Sequence, residues 1–165
     1  MPMMYRFAIA GMCLLGMAMP AAAQDVKAAQ TFLTGLYAGY AKGKKPLDVI
    51  GKDIDRIFTP ELAALIKADL PLQIDGVGPI DGDVICNCQD WDKFSVARID
   101  VTPDGPKGAK ATVAFTNAGS ARTVRYQLAL VEGKWRVANL SEEGFDDFRK
   151  TLADDIVARV KDIMK

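Results

Sequence analysis

The stretch DGDVICNCQDWDKF, residues 81–94, brings four acidic residues, two cysteines and a tryptophan into one short segment. Asp81, Asp83, Asp90 and Asp92 are hard oxygen donors of the kind calcium takes. A helix-loop-helix calcium loop needs acids at alternate positions, and Ile85 and Asn87 interrupt that order. Zinc would need two soft ligands beyond Cys86 and Cys88. The chain has no histidine, and its third cysteine, Cys13, lies near the amino terminus. The expectation is therefore no metal and no cofactor.

Three other chemistries remain open for the same stretch. Cys86 and Cys88 can form a disulfide or a reactive thiol pair. In an extended strand their Cα atoms would lie about 6.6 Å apart, at the far edge of disulfide geometry. Closing the bond therefore requires a turn or bulge at Asn87. The neighbouring aspartates raise a thiol pKa, where redox work needs it lowered. Carboxylate catalysis would use two acids with separated pKa values, such as Asp83 and Asp90. Solvated turn aspartates are the plainer explanation of so acidic a loop. Gln89, Asp90 and Trp91 form the third case. The carboxylate can fix a loop through backbone N–H groups while the ring packs beneath it, or the same pair on a rim can anchor a partner. The candidate binding surface is thus Asp81, Asp83, Gln89, Asp90, Trp91 and Asp92, with no catalytic residue assigned.

Composition narrows the classes further. Lys plus Arg and Asp plus Glu are both 21, for a formal net charge of zero. Nucleic acid demands a basic face, which this balance does not supply. The absence of histidine excludes any Ser-His-Asp or Cys-His catalytic arrangement.

The first residues read as an export signal. Arg6 is the only charge before Asp25, Phe7–Met19 is apolar, and Ala21-Ala22-Ala23 offers the small residues of a cleavage site. The apolar run of about 13 residues falls short of the ~20 that span a bilayer. Cys13 follows Met12, not the small residue that lipoprotein processing needs. The expectation is a signal peptide over residues 1–23, cleaved near Ala23, and one periplasmic domain over 24–165 with no stable membrane insertion. In that oxidising compartment any intramolecular disulfide must join Cys86 to Cys88.

Elements must then position the stretch. Val26, Ala29, Leu33, Leu36, Tyr37 and Tyr40 recur at helical spacing. A weakly helical segment follows over Leu47–Phe58. Thr59-Pro60-Glu61 reads as an N-cap, a first-turn proline and an early acid. Leu62, Leu65, Ile66 and Leu70 give that helix its buried side, and Pro71 stops it. Residues 71–83 read as a long loop of the kind often functional. From Phe94 the period becomes two, with a parity change near Ala97 and Arg98 that signals a bulge. Ala109–Phe115, Val124–Leu130 and the Trp135–Val137 segment complete four strands joined by short turns. Ser141 reads as the cap of a last helix carrying Phe145, Phe148, Leu152, Ile156 and Ile163, with Asp146–Lys150 and Asp155–Arg159 pairs. The predicted fold is α+β: N-terminal helices packed on a curved, cone-like, four-stranded antiparallel meander, with a C-terminal helix.

"FLTGLYAGY", "FTPELAALIKAD", "DGD…CQDWDKF" and "LVEGKWRVANL", in that order over roughly residues 26–153, resemble a family of small exported bacterial proteins classed only as a domain of unknown function. The Gly133–Val137 strand also resembles the closing strand of the nuclear transport factor 2-like superfamily. The resemblance implies a cone-shaped fold and no particular activity, because that superfamily includes pocket enzymes, small-ligand binders and inhibitor modules. Cys-Asn-Cys is not a feature expected throughout the family, so no redox role follows from it.

The leading expectation is non-catalytic binding of a small ligand or a periplasmic protein partner. The alternatives are a hydrolase-like pocket enzyme using aspartates, with Tyr37 and Tyr40 as pocket contacts, and a thiol-disulfide protein using Cys86 and Cys88.

Overall fold

The computed structural model describes residues 21–73, 78–80 and 82–165. The first helix, α1 (Ala21–Tyr37), continues into a 3-10 turn over Ala38–Tyr40. Its buried face is Ala29, Leu33, Leu36, Tyr37 and Tyr40, the three-and-four spacing of an amphipathic helix. The expected signal-peptide cleavage point lies within the first turn of α1, and the apolar run before it lies outside the described residues.

Short α2 (Ile54–Ile57) leads to α3 (Pro60–Asp69). Thr59 caps α3 as its sequence predicts: extended backbone, an Oγ1 that accepts from the Leu62 N–H, and proline next in line. The joint between the two helices is pinned to the sheet, where the Thr59 N–H donates to the Val137 carbonyl at 2.9 Å. Pro71 falls in a 3-10 turn, Leu70–Leu72, that extends α3 by a tighter winding.

The sheet is a meander in the order β1 (Ser95–Pro103), β2 (Gly108–Asn117), β3 (Ser120–Val131) and β4 (Lys134–Ser141), all antiparallel. Alternation sets its inner face. Ala109, Ala111, Val113 and Phe115 of β2 are buried opposite Leu128, Tyr126, Val124 and the partly covered Arg122 of β3. The expected bulge is present, with the β1 register shifting between Val96 and Arg98. A second shift pairs Gln127 with Asn139 but Leu128 with Val137, leaving Ala138 as the extra residue in β4. Each bulge adds local twist and bends its strand.

The bulge at Ala138 decides where the last helix begins. It turns both Asn139 and Leu140 inward. The Asn139 amide donates to Asp147 Oδ1 at 2.9 Å, and its oxygen accepts from the Arg149 N–H at 3.1 Å. Asp147 Oδ1 also accepts from the Lys150 N–H at 3.0 Å. The N-cap of α4 (Phe148–Ile163) is therefore Asp147, not Ser141, which ends β4. Residues 142–145 instead form a tight turn closed by a Glu142–Phe145 bridge, and Gly144 has φ +107° there. The shifted start also re-pairs Lys150, whose ammonium meets Asp154 instead of Asp146, while the Asp155–Arg159 pair forms as expected. Phe148 and Leu152 are buried, but Ile163 is exposed.

One hydrophobic cluster joins α1, α2, α3, the sheet and the first turns of α4. Among the described residues no helix is long and apolar enough to cross a membrane.

Candidate functional site

The stretch that opened the sequence folds into a tight hairpin. The Asp83 N–H donates to the Cys88 carbonyl at 2.9 Å, and the Cys88 N–H returns to the Asp83 carbonyl at 3.3 Å. Val84–Asn87 form the loop between them. Asn87 takes φ +45°, the left-handed region that Asn tolerates better than most residues. That turn brings the Cα atoms of Cys86 and Cys88 to 5.2 Å, and the two cysteines are joined as a disulfide. Gly82 is required on the approach, since a Cβ there would sit 2.7 Å from the Cys88 carbonyl oxygen.

Three tyrosines bolt the hairpin to the core. The Tyr37 and Tyr126 hydroxyls lie 2.7 Å apart and reach the Ile85 carbonyl at 2.7 and 3.2 Å. The Tyr40 hydroxyl donates to Asp83 Oδ2 at 2.5 Å, while Asp83 Oδ1 accepts from the Ile85 N–H at 2.9 Å. Burial raises the pKa of all three phenols, so they stay protonated as donors. Burial also raises the Asp83 pKa, against the lowering effect of its hydrogen bonds from Tyr40 and the backbone. Tyr37 and Tyr40 are thus buried supports of the hairpin.

The following turn is held separately. Asn117 at the β2–β3 hairpin donates its amide N–H to the Asp90 carbonyl at 2.9 Å, and its amide oxygen accepts from the Asp92 N–H at 3.0 Å. The Ala118 N–H adds a bond to the Asp92 carbonyl at 2.7 Å. Asp90 and Asp92 fix this turn through their backbones and leave their side chains exposed. Phe94 stacks against Tyr40 and Phe115, with ring centroids 4.8 Å from each. Trp91 meets the Tyr40 ring edge-on at 5.7 Å and remains 39% exposed.

Two concavities flank the hairpin. The larger, about 720 Å³, is lined by Lys45, Ile50, Lys52, Asp83 and Trp91 among others. Ile50 is 43% exposed there, so the groove carries two large apolar side chains open to solvent. The smaller cleft, about 170 Å³, lies between Asp83, Asn87, Cys88, Gln89, Glu142 and Phe145. Glu142 is only 8% exposed, and its Oε2 has no hydrogen-bond partner among the described residues. Burial pushes its carboxyl up to about 8, with Arg122 opposing the shift and Asp83 adding to it.

The expected surface is therefore brought together only in part. Asp83 and Gln89 line the small cleft, and Asp83 and Trp91 line the groove. Asp90 lines neither of these two concavities, and Asp81 lies outside the described residues. The acid that shares a cleft with Asp83 is Glu142, not Asp90. Four contributors are not among the site residues expected from sequence: Glu142, Tyr126, Asn117 and Ile50. Tyr126 was legible as an inward position of β3, but nothing in spacing shows which hydroxyl meets which carbonyl. Among the described residues no group of three or more ligating side chains is placed to hold a metal ion.

No family model matches the chain, and no curated protein matches it. Two of the solved structures similar to it come from Ralstonia species. One is a chain of the type VI effector–immunity complex Tae3–Tai3 from Ralstonia pickettii, at 18% identity and a TM-score of 0.46, covering 71% of this chain and 93% of that one. The other is the phospholipid-binding protein from Ralstonia solanacearum, in complex with a phospholipid, at 15% identity and a TM-score of 0.39, covering 84% and 86%. Likenesses this low say nothing about function.

Proposed function

We propose that this chain is an exported, periplasmic binding protein that uses the Trp91–Ile50 groove without catalysing a reaction. The observation that carries the reading is the exposure of Trp91 on a turn held by Asn117, with Tyr40 against its ring. An indole fixed this way gives a partner a large apolar contact at little entropic cost, which is how interface anchors work. Ile50 widens the apolar floor, and Lys45 and Lys52 line the same groove. The groove suits a small amphipathic ligand or the apolar side chain of a partner protein. Export rests on the Phe7–Met19 run and Ala21-Ala22-Ala23, with residues 24–165 as the mature domain. Placement in the domain-of-unknown-function family and the cone-shaped nuclear transport factor 2-like superfamily rests on the quoted motifs.

Purification of the mature protein from periplasm, with bound species identified by mass spectrometry, tests the reading. A defined species should co-purify, shield Trp91 from acrylamide quenching in a Trp135→Phe background, and be lost from Trp91→Ala. A species retained in full by Trp91→Ala would refute the groove as the site. A lipid-modified chain beginning at Cys13, in place of one beginning near Gln24, would refute the export reading.

A further inference from the structure

The smaller cleft is a different kind of place from the groove. Its acids come from separate elements, Asp83 from the hairpin and Glu142 from the turn after β4. More than nine-tenths of Glu142 is buried, and its Oε2, shut off from solvent, meets no donor among the described residues. A buried polar atom without a partner is costly, and such atoms in native proteins call for an explanation. The nearest cation in charge terms, Arg122, is paired with Glu143 at 3.0 Å. Val84, Pro79 and Phe145 supply apolar walls. At about 170 Å³ the space admits one small group and little more.

We propose that the Asp83–Glu142 cleft binds a single alkylguanidinium group, taken either from an arginine of a partner polypeptide or from a free guanidino compound. A guanidinium matches the site in three ways. Its planar fork donates to carboxylates in pairs. Its faces and stem lie well against Phe145 and the aliphatic walls. Its charge pairs with that of the Glu142 carboxylate, which no cation contacts among the described residues, Arg122 being bound to Glu143. Calcium fits less well, since it takes six to eight oxygens and the cleft offers two carboxyls. The site is independent of the groove reading, although Asp83 borders both.

Binding carries a proton with it. Near neutral pH the Glu142 carboxyl, displaced to about 8 by burial, is largely protonated. The guanidinium pairs with the ionised form, so the proton leaves to solvent on binding. The other ionisable groups acting on Glu142 are Asp83 from the hairpin, Arg122 and Tyr126 from β3, and Tyr37 from α1. The two phenols are raised too far to titrate below pH 9. Affinity for the cation should therefore rise from pH 6 to pH 8.5 and level above it.

The test is an NMR titration of the mature protein with n-propylguanidinium, with neutral n-propylurea of the same shape as control. Saturable shifts at Asn87 and Phe145 are expected for the cation, with affinity about tenfold or more above that of the urea, the size of one lost charge-assisted hydrogen bond. Glu142→Gln, which keeps the shape, should lower the cation's affinity about tenfold and flatten its pH dependence. A blocked peptide with one arginine separates the two sources. Tighter binding than n-propylguanidinium assigns the site to a polypeptide partner, and equal or weaker binding assigns it to a free compound. No saturable shift, equal binding of cation and urea, or unchanged binding and pH profile in Glu142→Gln would each overturn the proposal. So would calcium chloride that displaces the probe and binds more tightly.

Discussion

At the scale of single residues, the buried acid Glu142 separates what spacing reveals from what packing creates. In sequence it looks like a first-turn acid behind a capping serine, a favourable and unremarkable place. In the structure it lies beneath a turn, with its carboxyl raised to about 8 by burial. Below pH 4.5, the ordinary glutamate value, the carboxyl is protonated whether the chain is folded or not. Between 4.5 and about 8 the unfolded chain releases the proton while the folded one keeps it, so stability falls through that window and levels above it. Glu142→Gln removes this loss. It should stabilise the protein by about 1–3 kcal/mol at pH 9 and have little effect at pH 4, read from denaturant melting at both values. Equal effects at the two pH values would show that the group is not held protonated. Trp135 is the opposite case, because alternation alone made it an inward residue of β4, and it is 6% exposed. Its Nε1 finds no partner among the described residues, so the ring contributes through apolar burial. Trp135→Ala should cost about 3–5 kcal/mol in the same melting assay, as large aromatic truncations do. A cost below about 1 kcal/mol, ordinary for a surface change, would contradict its place in the core. Its neighbour Arg136, which simple alternation would leave fully exposed, is half-covered because its guanidinium reaches back to the Asp55 carbonyl at 3.2 Å.

At the scale of elements, period and capping made most of the architecture legible, and competition between equivalent signals hid the rest. Thr59-Pro60 had no rival nearby, so the start of α3 was readable to the residue. Ser141 and Asp147 are both good N-caps, and only Asn139, turned inward by the Ala138 bulge, selects the second. A bulge of that kind leaves a weak trace in sequence when the extra residue is an alanine. The hairpin at 83–88 was legible as a junction needing a turn at Asn87, but its attachment to three tyrosines was not, because those contacts span 41 to 89 residues of chain. That attachment has a consequence for the disulfide. A bond closing so short a loop restrains little unfolded-chain entropy, so Cys86→Ser with Cys88→Ser should cost only about 1–3 kcal/mol. The Tyr37, Tyr40 and Tyr126 hydroxyls should keep the hairpin seated without it. Trp91 emission in the native double variant should match that of the parent, and groove binding should survive. A fully stable double variant that loses binding would instead mark the cysteines as the working groups.

At the scale of the whole molecule, both sides of the hairpin rest on one core, and that predicts how the protein unfolds. Tyr40 packs on Phe94, Phe94 on Phe115, and Phe115 lies on the sheet face that α1 covers. Trp91 touches the first ring of this series, while Trp135 sits on β4 near the other end of the sheet, opposite Leu130. The chain contains only these two tryptophans, so each can be watched alone in a variant with the other replaced by phenylalanine. If the hairpin were a loosely attached lid, Trp91 would report an early transition. The buried tyrosine hydroxyls and the stacked rings couple it to the sheet, and breaking them exposes the same apolar surface that global unfolding exposes. Urea titrations followed by Trp91 alone, by Trp135 alone and by far-ultraviolet circular dichroism should therefore agree on one slope, with each variant's fluorescence midpoint equal to its own circular dichroism midpoint. The outer half of α4 is the exception that the packing allows. Val157, Val160 and Ile163 are exposed, so amide exchange there should be fast while Tyr37, Ile85 and Tyr126 exchange only with global opening. A Trp91 midpoint well below that of Trp135, relative to circular dichroism in each variant, would make the binding surface a separately melting unit and remove the rigidity on which its role as an anchor depends.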